Sequence, residues 1–142
     1  MRVSFNIDGK QLNNFYANCE ATISKVGKGT RKALVEACNV ISEDSLNQVP
    51  RDTDTLALSH FWEVTGYYKT GFTANIGYGG NGDPINPKTG RPASSYMVAV
   101  HEDLKVLHIQ GNAKFLENPI RDFARERFPR TVFKNIDGSL RK

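Results

Sequence analysis

The sequence predicts an α+β fold in which a four-stranded antiparallel sheet is packed by a long N-terminal helix and a C-terminal helix. Two long stretches, one near each end of the chain, repeat apolar residues every three or four positions, as amphipathic helices do. Four short runs instead alternate β-branched or aromatic residues with other residues, which is typical of half-buried strands. These runs lie near residues 2–7, 60–65, 72–78 and 96–101.

The first strand leads into the long helix. Residues 2–7 alternate apolar and polar side chains, and a helical period follows over residues 12–48. Gly27 and Gly29 lie inside this period. Each glycine costs a helix about 1 kcal/mol relative to alanine, so we expect a kink or a short break there. Pro50 stops the helix, because proline disfavours helical geometry in the residue before it.

A polar corner and a hairpin follow the helix. Residues 50–59 read Pro-Arg-Asp-Thr-Asp-Thr-Leu-Ala-Leu-Ser. The side chains of residues 52–54 can accept hydrogen bonds from nearby backbone N–H groups, which would stabilise a tight turn. Gly66 and Gly71 then bracket the turn between the second and third predicted strands.

The remaining chain is predicted as loop, strand, helix and tail. Residues 79–95 contain four glycines and three prolines, so they form the longest irregular segment. The last strand, 96–101, is followed by an amphipathic helix over residues 113–128. Pro129 ends this helix, and the short extended segment expected at 131–136 precedes a frayed basic end.

The positive charge is concentrated at the C-terminus. The chain has a formal net charge of +4, and residues 121–142 alone carry a net +4. A basic end on a neutral body is compatible with contact to nucleic acid or to an acidic partner. A solvated helix face followed by a flexible tail explains it equally simply. The cations are Arg121, Arg125, Arg127, Arg130, Lys134, Arg141 and Lys142.

Length and composition are those of an ordinary globular domain. We expect one domain over 1–142, with its core at about 1–128, the loop at 79–95 and the tail at 129–142. No apolar stretch has the length of a membrane span, and the first residues lack the apolar region of a secretory signal. Cys19 and Cys38 are expected to be free, partly buried thiols in a reducing compartment.

The sequence indicates no catalytic, metal or cofactor site. His101 and His108 are seven residues apart and His60 is distant, so no pair has the helical spacing of a zinc site. Residues 82–89 approach a phosphate-binding P-loop, but Pro87 stands where that motif requires glycine. We therefore predict that the chain is not an enzyme.

Three segments together resemble the tail-completion proteins of long-tailed bacteriophages, which are also described as head–tail joining, neck or minor capsid proteins. Residues 50–59 are similar to that family's Pro-x-Asp-Thr-Gly-x-Leu-x-x-Ser corner. Residues 96–102 resemble its Tyr-Ala-x-x-Val-His-Glu strand, and residues 111–120 its Gly-x-Ala-x-Phe-Leu-x-x-Pro-Leu helix start. The residues of these segments to which the resemblance assigns a structural role are Pro50, Asp52, Thr53, Leu56, Ser59, Tyr96, Val100, His101, Glu102, Gly111, Lys114, Phe115, Leu116 and Pro119, and all except Lys114 stand at motif positions named above.

The resemblance spans roughly residues 10–128 and has two departures. Asp54 stands where the family has glycine, which is tolerable because aspartate reaches left-handed geometry more easily than most residues. The loop at 79–95 corresponds to an enlarged insertion, so the family implies no role for it.

The resemblance implies a structural subunit without enzyme activity or cofactor. Such subunits assemble, typically six-fold, into a neck ring through which DNA passes. The implied partners are further copies of the chain, the connector or adaptor, and the tail-tube or tail-terminator protein; contact with DNA would be non-specific. The implied location is the virion, and the host cytoplasm during assembly. Candidate contacts to these partners are Asp83, Lys88, Arg91, Arg130, Lys134, Arg141 and Lys142.

Two other readings remain open at this point. The first is a small nucleic-acid-binding accessory protein that uses the C-terminal arginines, and strong, salt-sensitive DNA binding would favour it. The second is a hydrolase, which would need an activity that is lost on His101→Ala.

Overall fold

Five helices and one two-stranded antiparallel sheet make up the described part of the chain. The computed structural model describes residues 8–80, 82–105 and 110–142. A single turn of 3-10 helix, Ala93–Ser95, precedes the third α-helix. The elements in chain order are α1 (Gly9–Gln48), α2 (Thr55–Leu58), β1 (Phe61–Tyr67), β2 (Gly71–Gly77), α3 (Met97–Glu102), α4 (Glu117–Glu126) and α5 (Phe128–Leu140).

Helix α1 runs for 40 residues without interruption. The carboxylate of Asp8 caps its first turn by accepting a hydrogen bond from the backbone N–H of Lys10 at 3.1 Å. The helix ends before Val49-Pro50, as the sequence predicts. The expected break at the two glycines is wrong, because the helix continues through both.

Gly27 and Gly29 are buried because other elements approach the backbone of α1 at these positions. A Cβ atom on Gly27 would lie 2.3 Å from the Cβ of Tyr68, at the hairpin turn. On Gly29 it would lie 2.6 Å from the Cα of Ile136 in α5. The two glycines lie on nearly opposite sides of the helix, since successive residues turn by about 100°. Each permits close packing of one neighbouring element, and this packing offsets their unfavourable helix propensity.

The fold is α+β, but the predicted four-stranded sheet is wrong. Strands β1 and β2 pair with each other in the described structure, from Phe61 opposite Gly77 to Tyr67 opposite Gly71. This hairpin was predicted, with bounds shifted by one or two residues. The predicted strand at 2–7 lies outside the described residues.

The predicted strand at 96–101 is instead the short helix α3. Tyr96, Met97 and Val100 pack against the core, whereas Val98 is 61% exposed. This burial follows the helical spacing of three and four residues and not the alternation of a strand. The five-residue apolar run at 96–100 is too short to separate the two periods, so tertiary packing decided between them.

The C-terminal segment forms two helices where one had been predicted. Helix α4 begins at Glu117, four residues after the predicted start, and α5 follows it directly. Pro129 does not end a helix but lies in the first turn of α5, where a missing N–H leaves no intrahelical bond unmade. The segment at 131–136, predicted to be extended, is helical, and α5 packs along α1.

Two hydrophobic clusters lie at the C-terminal half of α1, and Leu116 packs against both. The smaller joins Ala37 and Ile41 of α1 to Phe123 of α4. The larger contains Val49, Leu56, Tyr78, Ala93 and Phe115. Among the described helices, none combines the length and the apolar character needed to cross a membrane.

We predict that Gly29→Ala destabilises the protein, although alanine is the better helix former. The added methyl group would collide with the backbone of α5, and such overpacking costs about 1–3 kcal/mol. Gly138→Ala in α5 is the matched control, since nothing lies within 4 Å of its added Cβ. That control should stabilise the protein by up to about 1 kcal/mol. Urea unfolding measures both, and equal signs would contradict the close-approach role of Gly29.

Candidate functional site

The three segments that carry the family resemblance meet around one buried phenylalanine. Phe115 is 1% exposed and belongs to the same hydrophobic cluster as Leu56 of the corner. Its ring contacts the ring of Tyr78 edge-on, with centroids 5.1 Å apart, and that of His101 at 4.9 Å. We call residues 50–59, 96–102 and 111–120 the motif cluster.

Within the corner, Ser59 joins helix α2 to the end of the hairpin. It is 1% exposed, and its hydroxyl donates to the carbonyl oxygen of Leu56 at 2.6 Å. The same hydroxyl accepts a hydrogen bond from the N–H of Gly79 at 3.0 Å. Asp54 adopts a left-handed backbone with φ of 54°, consistent with a position where the family has glycine.

The predicted side-chain-to-backbone bonds of the corner are not those that the structure shows. Asp52 pairs with Lys88 of the loop, and Asp54 pairs with Arg51 at 3.2 Å. The hydroxyl of Thr53 lies 2.7 Å from that of Thr55. The prediction was wrong because these side chains bond to other side chains: Lys88 comes from the distant loop, whereas Arg51 and Thr55 are sequence neighbours.

Gly111 lets the third segment pass directly over the end of α1. Its φ is 93°, a conformation that disfavours any side chain. A Cβ atom here would lie 2.6 Å from both the carbonyl oxygen of Gln48 and the nitrogen of Pro50. The next N–H, that of Asn112, donates to the Gln48 oxygen at 2.8 Å and so satisfies a carbonyl at the end of the helix.

His101 connects α3 to the start of α4. Its Nε2 atom accepts a hydrogen bond from the backbone N–H of Glu117 at 3.3 Å, which places the ring proton on Nδ1, 2.8 Å from a Glu102 carboxylate oxygen. The His101 carbonyl oxygen accepts from the N–H of Lys114 at 2.8 Å. His101 therefore caps the first turn of α4, and its ring packs edge-on against Phe115.

Lys114 holds two carboxylates together across the same junction. Its ammonium group contacts Glu102 and lies 2.9 Å from Glu117. The hydrogen bond from Lys114 lowers the pKa of both carboxyl groups below the ordinary value of 4.5. For Glu102, the bond from His101 adds to this shift. Lys114 also has a left-handed backbone, with φ of 58°.

The histidines do not form a shared site. The ring of His60 packs against Tyr78, with centroids 5.1 Å apart, whereas that of His101 packs against Phe115. His108 lies outside the described residues. No group of three or more metal-ligating side chains occurs among the residues that the structure describes.

An apolar groove of about 360 Å³ lies between the hairpin and α3, beside the motif cluster. His101 and Glu102 stand at its polar end, and both are engaged in the contacts given above. Its other lining residues include Phe61, Ile76, Met97, Val98 and Phe115.

Comparison of the chain with protein-family models, curated protein sequences and solved structures found no match.

Most of the predicted contact residues are engaged within the chain. Asp83 accepts hydrogen bonds from the N–H and hydroxyl of Ser94, and Lys88 pairs with Asp52. The Arg91 guanidinium donates to the Ser95 carbonyl oxygen at 3.4 Å. Lys134 of α5 pairs with Glu36, and Arg141, directly after α5, pairs with Asp137. All four C-terminal candidates, including Arg130 and Lys142, are exposed.

The sequence did not single out Tyr78 and Ser45 as a pair. The Tyr78 hydroxyl lies 2.7 Å from the hydroxyl of Ser45, a residue of α1 that is 0% exposed. Burial raises the pKa of Tyr78, so the phenol stays neutral. The available signal was a serine on the apolar stripe of the helix, which implies a buried partner.

We predict that Gly111→Ala destabilises the protein by about 3 kcal/mol or more, because strain at positive φ adds to a backbone collision. Gly82→Ala is the control for strain alone, since Gly82 has φ of 85° but nothing within 4 Å of an added Cβ. It should cost only about 1–2 kcal/mol. Thermal unfolding separates the two, and equal losses would exclude close approach as the reason for Gly111.

We also predict that Lys114→Met makes stability less dependent on pH in the acid range. A carboxyl group with a lowered pKa contributes stability above its unfolded value of 4.5 and loses it as the pH falls through the folded pKa. The stability difference between the parent and the variant should therefore shrink below pH 4.5. Lys32→Met, at an exposed position of α1, is the control. Parallel profiles from pH 7 to 3 would show that Lys114 does not couple the two carboxylates.

Proposed function

We propose that this chain is a structural virion protein of a long-tailed bacteriophage, a tail-completion or head–tail joining component. In this proposal, copies of the chain form a ring in the neck. The ring lies between the connector and the tail tube, and DNA passes through it. The protein assembles in the host cytoplasm and is retained in the virion.

The observation that carries the proposal is the convergence of the motif cluster. Three segments far apart in sequence share one hydrophobic cluster, and hydrogen bonds join the second segment to the third. Two polar residues that match the family serve this junction, since Ser59 joins two elements and His101 caps α4. Lys114, at a variable position of the third motif, links two carboxylates there. Side chains used in this way support a structural role, since a catalytic group must be available to a substrate.

The basic C-terminal region gives less support to the nucleic-acid alternative than its charge suggests. Helix α5 packs along α1, and two of its cations pair with Glu36 and Asp137. Arg121 likewise lies 3.9 Å from both Glu117 and Asp122. Exposed ion pairs of this kind reduce the positive field that would attract phosphate groups.

The proposal predicts an assembly defect when the chain is missing. Infection by a phage that lacks its gene should yield DNA-filled heads and complete tails that remain separate in electron micrographs. Adding the purified chain should join them, and antibody labelling should place it at the neck. Normal joined particles without the chain would contradict the proposal.

One control distinguishes head–tail joining from the alternative function, nucleic-acid binding. The double variant Arg125→Ala, Arg127→Ala removes two exposed cations that are not among the candidate partner contacts, and it leaves the buried core unchanged. It should still join heads to tails. Two results together would indicate a nucleic-acid-binding protein instead. The parent chain would bind DNA strongly and in a salt-sensitive way that is lost in this variant, and particles would assemble normally without the gene.

A further inference from the structure

The first half of α1 extends beyond the elements that cover the second half. We call residues 9–26 the arm, which is about 27 Å long at 1.5 Å per residue. Helix α5 reaches α1 at Gly29, and the hairpin turn reaches the arm through Lys69, whose ammonium group lies 2.8 Å from Glu20. The large apolar side chains of the arm are exposed in the described structure: Leu12 (40%), Phe15 (61%), Tyr16 (61%) and Ile23 (52%).

The apolar face of the arm contains two overlapping heptad patterns. Both patterns share Leu12, Cys19 and Val26. One adds Tyr16 and Ile23, which gives alternating steps of four and three residues. The other takes Phe15 and Thr22 instead, with steps of three and four. Either pattern fits a helix packed along one partner helix, and the combined face is wider than a single two-helix seam.

The surface shape matches this double pattern. Two shallow grooves flank the ridge formed by Cys19 and Ile23. The first is bounded by Tyr16 and, from the hairpin turn, Tyr68. The second is bounded by Phe15 and Thr22. A helix with a groove on each side of one ridge can receive side chains from two neighbouring helices.

The charge of the arm favours a copy of itself as the partner. Only three of its 18 residues are charged, namely Lys10, Glu20 and Lys25. Like charges therefore oppose the packing of identical arms only weakly. The same scarcity disfavours nucleic acid, an anionic membrane surface or a strongly charged protein, each of which is bound through clusters of charge.

We propose that the arms of neighbouring copies pack side by side and in parallel, each between two others, so that the arm is a subunit contact of the assembly. Rotation about a ring axis places identical residues at the same height, which requires the parallel arrangement. The inference rests on the proposed function in one respect, that copies of this chain associate in a ring.

The first test disrupts the apolar face in the full-length chain. The parent protein should form an oligomer in light scattering coupled to size exclusion, and Phe15→Glu with Ile23→Glu should yield a smaller species. Asn14→Glu with Ala21→Glu is the matched control, because it adds the same charge on the opposite face of the helix and should leave the oligomer intact. Circular dichroism should show equal helix content in all three proteins, since these positions are exposed.

The second test uses Cys19 as a reporter of proximity and direction. With Cys38→Ser removing the other thiol, mild oxidation should cross-link copies through Cys19. In a Cys19→Ser, Cys38→Ser chain, Leu12→Cys should also cross-link, because parallel arms bring equal positions together. Ala21→Cys in that background, on the opposite face, should not. An antiparallel pair would place Leu12 near Val26 of the other copy and would leave Leu12→Cys monomeric.

Each outcome decides the inference separately from the proposed function. A monomeric parent chain, an oligomer that survives the Phe15 and Ile23 changes, or a different protein bound at this face would overturn the arm contact. None of these results shows whether the chain joins heads to tails, because none of them measures particle assembly. Conversely, an arm-dependent oligomer whose loss leaves particles normally joined would support the contact and contradict the neck function.

Discussion

The burial of Phe115 is the constraint on which the rest of the body depends. This side chain joins the corner, the hairpin end and α3 into one cluster, and fully burying it contributes about 3 kcal/mol at most. The position is reached only because Gly111 crosses the end of α1 without a side chain, which brings the following residues against the helix terminus. Helix α4 starts directly after Phe115 and Leu116, and α5 follows it, so the placement of the whole C-terminal region along α1 depends on this crossing.

The polar side chains around Phe115 make the junction specific. A hydrophobic cluster alone can tolerate sliding of one element over another, whereas hydrogen bonds have defined partners and geometry. The hydrogen bond of Ser59 fixes the position of the corner relative to the hairpin, and that of His101 fixes the position of α3 relative to α4. Lys114 is on the exposed side of the same junction, where solvent limits the energy of its ion pairs but not their selectivity for one arrangement. These contacts give a structural reason for the position of each of the three side chains.

The body and the arm differ in their packing. The body buries two hydrophobic clusters, although it also exposes side chains such as Leu58, Val98 and Phe133. The arm exposes four large apolar side chains, and the hairpin turn contacts the arm through Lys69 and Glu20. Covalent continuity with the packed half of α1 keeps the arm helical, since propagation of an existing helix avoids the cost of nucleation. A rigid body that carries an exposed helical arm is suited to assembly through unlike surfaces, and this is the property on which both proposals rest.

The sequence by itself determined the elements whose signals are local. It predicted the long helix with its end at Pro50, the hairpin between Gly66 and Gly71, and the α+β class, because helical period, proline and turn glycines act within a few residues. Only the tertiary structure decided the rest. Packing against the core made residues 97–102 a helix, contact with α1 ordered α5, and the approach of Tyr68 and Ile136 turned Gly27 and Gly29 from expected breaks into contact points. Convergence on Phe115 was equally beyond local patterns, since it joins residues separated by tens of positions, and such contacts are fixed by which surfaces the whole chain can bury together.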